Sequence, residues 1–200
     1  MVVVLDTSPS MATLTSSGRT RLELAGDHAR RIIEGSSSAA KFMVTDTAGR
    51  IQTALIENRE QAYDAIGRMQ PFVTDSPFPK VPVGANVHFV TDGVEQYQLP
   101  ANTEVTSVFE PAINVGITAF DIKVDPTSPS GYAAYLEIAN YSREGRNVAI
   151  NISGAGAQRV NTTARLEPGE VLKRELDLAE FRGGGMRVGI RAAGDAFGLD

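Results

Sequence analysis

Directly after Met1 the chain runs Val2-Val3-Val4-Leu5 and then meets Asp6. An apolar run with no polar alternation requires burial on both faces, which is the situation of a strand inside a parallel sheet. The run is too short to be a signal peptide and has no basic leader in front of it. A chain that opens on a central strand is the pattern expected of a segment cut from a longer protein. The C-terminal Ala196-Phe197-Gly198-Leu199-Asp200 likewise carries no obvious end signal.

Beyond this first run the chain alternates helical and strand-like stretches. Leu22, Ala25, Ala29, Ile32 and Ile33 predict a helix over Arg21–Glu34, with Gly35 as its stop. Lys41–Thr47 and Ile51–Ile56 read as two strands of a hairpin around Ala48-Gly49. Asn58 is a good N-cap, with Gln61 three residues on, for a second helix marked by Ala62, Ala65, Ile66 and Met69 and ended by Pro71. Asn86–Asp92 and Glu104–Phe109 are further strands. From Gly116 the pattern changes to strands alone: Ile117–Val124, Tyr132–Tyr141, Asn147–Ser153, Val160–Leu166, Val171–Leu178 and Met186–Ala192. Turn clusters at Asp125–Gly131, Ser142–Gly145, Glu167-Pro168-Gly169 and Gly183–Gly185 separate them, as in an antiparallel sandwich. The expected division is therefore residues 1–112 and residues 113–200, with Pro111 near the boundary.

Composition narrows the function. The 200 residues are 42% hydrophobic and hold no apolar run near the roughly 20 residues a bilayer span needs. Nineteen basic against 24 acidic residues give a net charge of −5, so no nucleic-acid footprint is expected. There is no cysteine, which removes disulfides, thiolate metal sites and a cysteine nucleophile. With only His28 and His88, a multi-histidine zinc site is excluded and a serine–histidine triad is poorly supplied.

The segment that carries chemistry is Asp6-Thr7-Ser8-Pro9-Ser10. A buried strand delivers Asp6 to its carboxyl end, where open α/β sheets bind their ligands. One carboxylate with two hydroxyls is a hard oxygen set suited to Mg²⁺. A second apolar strand, Val87-His88-Phe89-Val90, ends in Thr91-Asp92-Gly93 and would bring Asp92 to the same edge.

These residues resemble the von Willebrand factor A (VWA) domain with its metal-ion-dependent adhesion site. The family's Asp-x-Ser-x-Ser is present as Asp6, Ser8 and Ser10, and its Asp-Gly strand end as Asp92-Gly93. The family's threonine ligand falls on Thr74 by its place in the chain order. The resemblance covers about residues 1–110. It implies an α/β, Rossmann-like sheet domain that binds Mg²⁺ (or Mn²⁺ or Ca²⁺) through Asp6, Ser8, Ser10, Thr74 and Asp92. It also implies a protein partner whose Asp or Glu carboxylate completes the shell. The family's usual helix before the Asp-Gly strand is excluded here by Pro77, Pro79 and Pro82, so the expected domain is abbreviated. Residues 114–120 with 139–142 are similar to the sandwich of bacterial membrane-anchored proteins of the aerotolerance-operon kind. That likeness implies an immunoglobulin-like sandwich after the VWA domain and a membrane-anchored bacterial parent, with no membrane contact in this stretch itself.

Other readings are weighed against these. A strand-borne Asp6 could be a haloacid-dehalogenase-like nucleophile, but that chemistry wants an acid two residues on, and Ser8 stands there. No phosphate-cradling loop or Gly-x-Ser-x-Gly elbow is present, so no enzyme is expected. A structural sheet domain with a degenerate, metal-free site is the remaining alternative. His88 within an apolar strand reads as structural, and His28 as solvated. Asp46 and Asp75 read as turn residues. Asn140-Tyr141-Ser142, Asn151-Ile152-Ser153 and Asn161-Thr162-Thr163 match glycosylation acceptors by chance in a bacterial chain, and Gly183-Gly184-Gly185 reads as a hairpin turn.

Overall fold

The computed structural model describes residues 1–74, 76–128, 130–154, 160–176, 178 and 185–197, with the backbone alone given for Val160. The chain divides into two compact units, the first ending at Pro111 and the second beginning at Ala112. Asp75 and the Gly183-Gly184 turn lie outside the described residues.

The first unit contains β1 (Val2–Leu5), α1 (Arg21–Glu34), β2 (Met43–Asp46), α2 (Arg59–Gly67), β3 (Val87–Thr91) and β4 (Thr103–Ser107). Its sheet runs β2-β1-β3-β4 with every neighbouring pair parallel. β1 therefore has a strand on each side, and all four of its residues are buried. The register pairs Leu5 with both Asp46 and Val90, so β1, β2 and β3 end level with one another. That levelling follows from three buried apolar runs seeking the same core, and it sets Asp6, Thr47 and Thr91 side by side.

One face of the sheet is covered by helix. Leu22, Ala25, Ala29 and Ile33 of α1 and Ala62, Ala65 and Ile66 of α2 pack on Val3, Leu5, Val44 and Val90. Gly26 permits the helices to approach, since a Cβ there would lie 3.3 Å from Ile66 Cγ2. The opposite face, Val2, Val4, Met43, Val87 and Phe89, is covered by Phe78, Val81, Ala85 and Tyr97 from irregular chain. Phe78, Phe89 and Tyr97 meet edge-to-face with centroids 5.1–6.0 Å apart.

The second unit is formed by β5 (Val115–Val124), β6 (Tyr132–Asn140), β7 (Arg146–Gly154), β8 (Val160–Leu166), β9 (Val171–Leu176) and β10 (Met186–Ala192). They make two antiparallel three-stranded sheets, β5-β6-β9 and β10-β7-β8. Alternate residues Leu136 and Ile138 from one sheet, and Val148, Ile150 and Ile152 from the other, share one apolar core.

These arrangements correct the expected fold class. Strand accounts for 38% and helix for only 15% of the structure, so the chain is mostly β and not the α/β, Rossmann-like VWA sheet plus immunoglobulin-like sandwich anticipated from sequence. The physical reason in the first unit is the second sheet face. A doubly wound sheet carries helices on both faces. Here the chain between α2 and β3 is punctuated by Pro77, Pro79 and Pro82, and loop side chains cover that face instead. In the second unit the strands among the described residues divide three and three, where an immunoglobulin constant-type domain sets four against three. The Lys41–Ile56 hairpin is also reduced. Only β2 forms a ladder strand, and its partner makes isolated bridges at Phe42–Ile56 and Thr45–Gln52.

The α1 terminus shows why that helix starts where the spacing says. Glu23 N–H donates to Thr20 Oγ1 at 3.1 Å, and Thr20 N–H donates to Glu23 Oε2 at 2.6 Å, a reciprocal capping box. Thr20→Ala should cost about 1 kcal/mol, read as a shift of the urea midpoint. The Thr20 backbone N–H, and after it the Thr20 hydroxyl, hold the Glu23 carboxyl below the usual glutamate range. The folded state thus favours the ionised form, so this increment is complete above the ordinary glutamate pKa. It should fade as pH falls through the lowered one, and the variant's deficit should shrink in the same window.

Candidate functional site

Three strand ends build the site. Asp6 follows β1 and is fully buried. Its Oδ1 accepts from Ser8 N–H at 2.8 Å and from the Thr47 hydroxyl at 3.4 Å, and its Oδ2 accepts from the Thr91 hydroxyl at 2.5 Å. The Ser8 bond is an Asx turn, which folds the loop back over the carboxylate. Ser8 Oγ and Ser10 Oγ lie 3.2 Å apart, Ser8 at the head of a short 3₁₀ turn over Pro9–Ala12 and Ser10 within it. Thr7 is tied to Thr47 by its N–H at 3.0 Å, and its carbonyl accepts from Phe72 N–H at 2.7 Å. The chain beyond α2 is thereby pinned to the same edge.

Asp92 lies at the end of β3, also buried, but its carboxylate is committed elsewhere. Oδ2 is 2.7 Å from Arg21 Nη1, and Oδ1 accepts from Val94 N–H at 3.0 Å. Gly93 between them has φ +74°, the left-handed turn that a Thr-Asp-Gly strand end requires of its glycine. Arg21 is 5% exposed. Its Nη2 donates to the Glu110 carbonyl at 2.5 Å, its guanidinium lies 4.9 Å over the Phe109 ring, and its Nε has no partner among the described residues.

Of the residues expected to act together, the fold gathers Asp6, Ser8 and Ser10. Asp92 stands on the adjoining strand end with Arg21 as its counterion. Thr74 is bonded locally: its Oγ1 lies 2.7 Å from Ser76 Oγ and accepts from Ser76 N–H. Asp46 is a turn residue, accepting from Arg50 and Ile51 N–H at 2.9 and 3.1 Å. His88 Nδ1 lies 3.3 Å from Glu104 Oε2 on the neighbouring strand. His28 is half-buried, not solvated, and burial first and then Arg31 lower its pKa against the pull of Asp27.

Four residues of the site were not singled out from sequence. Thr47 and Thr91 sit one position beyond or at the end of apolar strands, and the same argument that placed Asp6 could have found them. Tyr97 had no signal, because it reaches the site from irregular chain. Burial raises its pKa, with the negative charges of Asp6, Glu95 and Asp92 adding to this and Thr47 opposing, so its hydroxyl stays protonated at the buried edge. Arg21 lies at the first position of α1, where a basic residue opposes the helix dipole. That unfavourable placement is itself a signal of a buried anion.

The donor set fits a hard divalent cation in part. Ligand oxygens at about 2.0–2.1 Å in an octahedron stand about 2.9 Å apart along an edge. The Ser8–Ser10 spacing is close to this, with the Asp6 carboxylate linked to the same loop. Asp92 is held by Arg21, and Thr74 is bonded to Ser76, so neither adds to this set as it stands. Among the described residues no helix is long and apolar enough to cross a membrane.

No protein-family model matches the chain, and no curated protein matches it. Among solved structures it is similar to a β-glucosidase, EmGH1 from Erythrobacter marinus, at 11% identity and a TM-score of 0.24, over 97% of this chain and 45% of that one. The chain spans less than half the length of that enzyme, and a likeness of this degree carries no argument about fold or activity.

Proposed function

We propose that this chain is a binding module, without catalytic chemistry of its own, that captures a carboxylate of a protein partner through a divalent cation held at Asp6, Ser8 and Ser10. The observation that supports this most is the pair of serine hydroxyls 3.2 Å apart on the loop that the Asp6 carboxylate folds. Bound there, Mg²⁺ or Mn²⁺ would supply a Lewis-acidic position for an incoming Asp or Glu. The chain's part is charge restraint. Ser8 and Ser10 are neutral, and Asp92 is neutralised by Arg21, so Asp6 alone offsets the ion and leaves it electrophilic. The likeness of the Asp-x-Ser-x-Ser loop to metal-ion-dependent adhesion sites supports the same reading. The likeness of residues 114–120 and 139–142 supports a membrane-anchored bacterial parent, which hydrophobic spans in the full reading frame would test.

A second reading, a structural edge without metal, is favoured by the Arg21–Asp92 pair, which already balances one of the two carboxylates. Calorimetric titration with Mg²⁺ and Mn²⁺ separates them. Saturable binding is expected, lost in Ser8→Ala/Ser10→Ala, which removes one buried and one half-buried hydroxyl bonded to each other and takes nothing from the apolar core. A folded protein that shows no heat with millimolar metal establishes the metal-free reading, and a double variant that binds as well as the wild type overturns the assignment of the ion to Ser8 and Ser10.

A further inference from the structure

The outer face of the β10-β7-β8 sheet carries a second feature, independent of the β1 site. Residues pointing outward align in rows across the strands: Gly189–Asn151–Asn161, and beside it Arg191–Ala149–Thr163. Gly189 and Ala149 form a low floor, and a Cβ built on Gly189 meets nothing within 4 Å. The amides, Thr163 and Arg191 form the walls of a trough of about 770 Å³. Arg187 lies outward on β10 at one end of this floor and Arg191 at the other.

Charge gives the trough its character. Arg187 and Arg191 are exposed, and neither pairs with any described residue. The third arginine on this face, Arg165, is paired with Glu167 at 2.8 Å. In a chain of net charge −5, this sheet face is, among the described residues, a local excess of unpaired guanidinium. Asn151 Nδ2 donates to Asn161 Oδ1 at 2.5 Å, which leaves Asn151 Oδ1 as acceptor and Asn161 Nδ2 as donor facing outward. One acceptor beside one donor is the complement of a peptide group. Among the described residues no aromatic lines the trough to stack a base or a sugar.

We propose that this face docks an extended acidic segment of a partner protein. Its carboxylates would meet Arg187 and Arg191, and its backbone would lie over Gly189 against the Asn151–Asn161 amides. Arginine forks engage carboxylates by paired hydrogen bonds. Arg187 and Arg191 are four positions apart on the strand, a span of about 13 Å. Carboxylates four residues apart on an extended segment match that span. The open floor admits a main chain at close range, where a larger residue at 189 would hold it off.

The test is fluorescence anisotropy on the intact chain with a labelled nonapeptide bearing glutamates at its third and seventh positions in a Ser/Thr/Val background. Saturable binding is expected, weakened by salt. Arg187→Gln/Arg191→Gln should weaken it about tenfold or more, because both charge-assisted contacts are lost. Gly189→Val should weaken it comparably by filling the floor, and strand backbone accepts valine. Melting curves matching the wild type confirm that both variants are folded. Three results would overturn the proposal: no binding by the folded wild type, equal binding of the glutamine-substituted peptide, or unchanged binding by both variants. Displacement of the peptide by a heparin oligosaccharide at lower concentration than by unlabelled peptide would replace the acidic segment with a polyanion and so reject it too.

Discussion

Replacing Arg21 by alanine should destabilise the first unit by about 3–5 kcal/mol, the range for removing one partner of a buried ion pair. Arg21 and Asp92 are 5% and 4% exposed and 2.7 Å apart. Without the guanidinium, the Asp92 carboxylate retains, among the described residues, the Val94 N–H alone, and the Glu110 carbonyl loses this donor. The loss also uncovers the Phe109 ring, over which the guanidinium sits. Urea unfolding of the variant measures the effect. Adding Asp92→Asn should recover part of it, because the uncompensated charge is removed with its partner. A loss below about 1 kcal/mol would mean that water reaches Asp92 freely. The same variant bears on the metal reading. With Arg21 gone, Asp92 becomes available beside Asp6, so Mg²⁺ should restore more stability to Arg21→Ala than it adds to the wild type, by the linkage of binding to folding.

Why some of this was legible in the sequence depends on how local each signal is. The run Val2–Leu5 could only be buried on both faces, and it is an inner strand of the sheet. The span Arg21–Glu34 carries its own cap, its own apolar stripe and a glycine behind it, and the helix has those bounds. The strands after residue 114 alternate cleanly and form where the alternation falls. Class was not legible, because it depends on what covers each face of the sheet. Phe78, Val81 and Tyr97 do that from segments without periodicity, and no pattern announces a loop that substitutes for a helix. The site divides in the same manner. Asp6, Ser8 and Ser10 lie within one loop and are brought together by one Asx turn. Asp92 needed knowledge of Arg21, 71 residues away, whose side chain is oriented by packing on Phe109 and Glu110. Thr74 was placed by chain order alone, and order does not fix where a hydroxyl points.

In the second unit the largest single-residue effect should come from Asn140→Ala, at about 3–5 kcal/mol, since several buried groups lose their partners together. Asn140 is fully buried at the end of β6. Its Nδ2, with two N–H donors, lies 2.9–3.1 Å from the carbonyls of Glu144, Leu166 and Glu167, one N–H being shared between two of them. Its Oδ1 accepts from Ser142 N–H at 3.0 Å and the Ser142 hydroxyl at 2.6 Å. One amide thus joins the turn after β6 to the end of β8 and the turn beyond it. Burial also answers the acceptor match at Asn140-Tyr141-Ser142, since a side chain enclosed by five bonds is closed to modification in the folded state. Asn140→Asp keeps the size and the Ser142 contacts but points a carboxylate oxygen at backbone carbonyls, so it should fare no better than alanine. Ser142→Ala removes only the hydroxyl and leaves the amide in place, and it should cost about 1 kcal/mol. Hydrogen exchange along Tyr132–Asn140 and Val160–Leu166 reads the result directly. Both strands should lose protection together in Asn140→Ala, whereas loss confined to the turn after β6 would show that the knot is local and that the apolar core alone holds the two sheets.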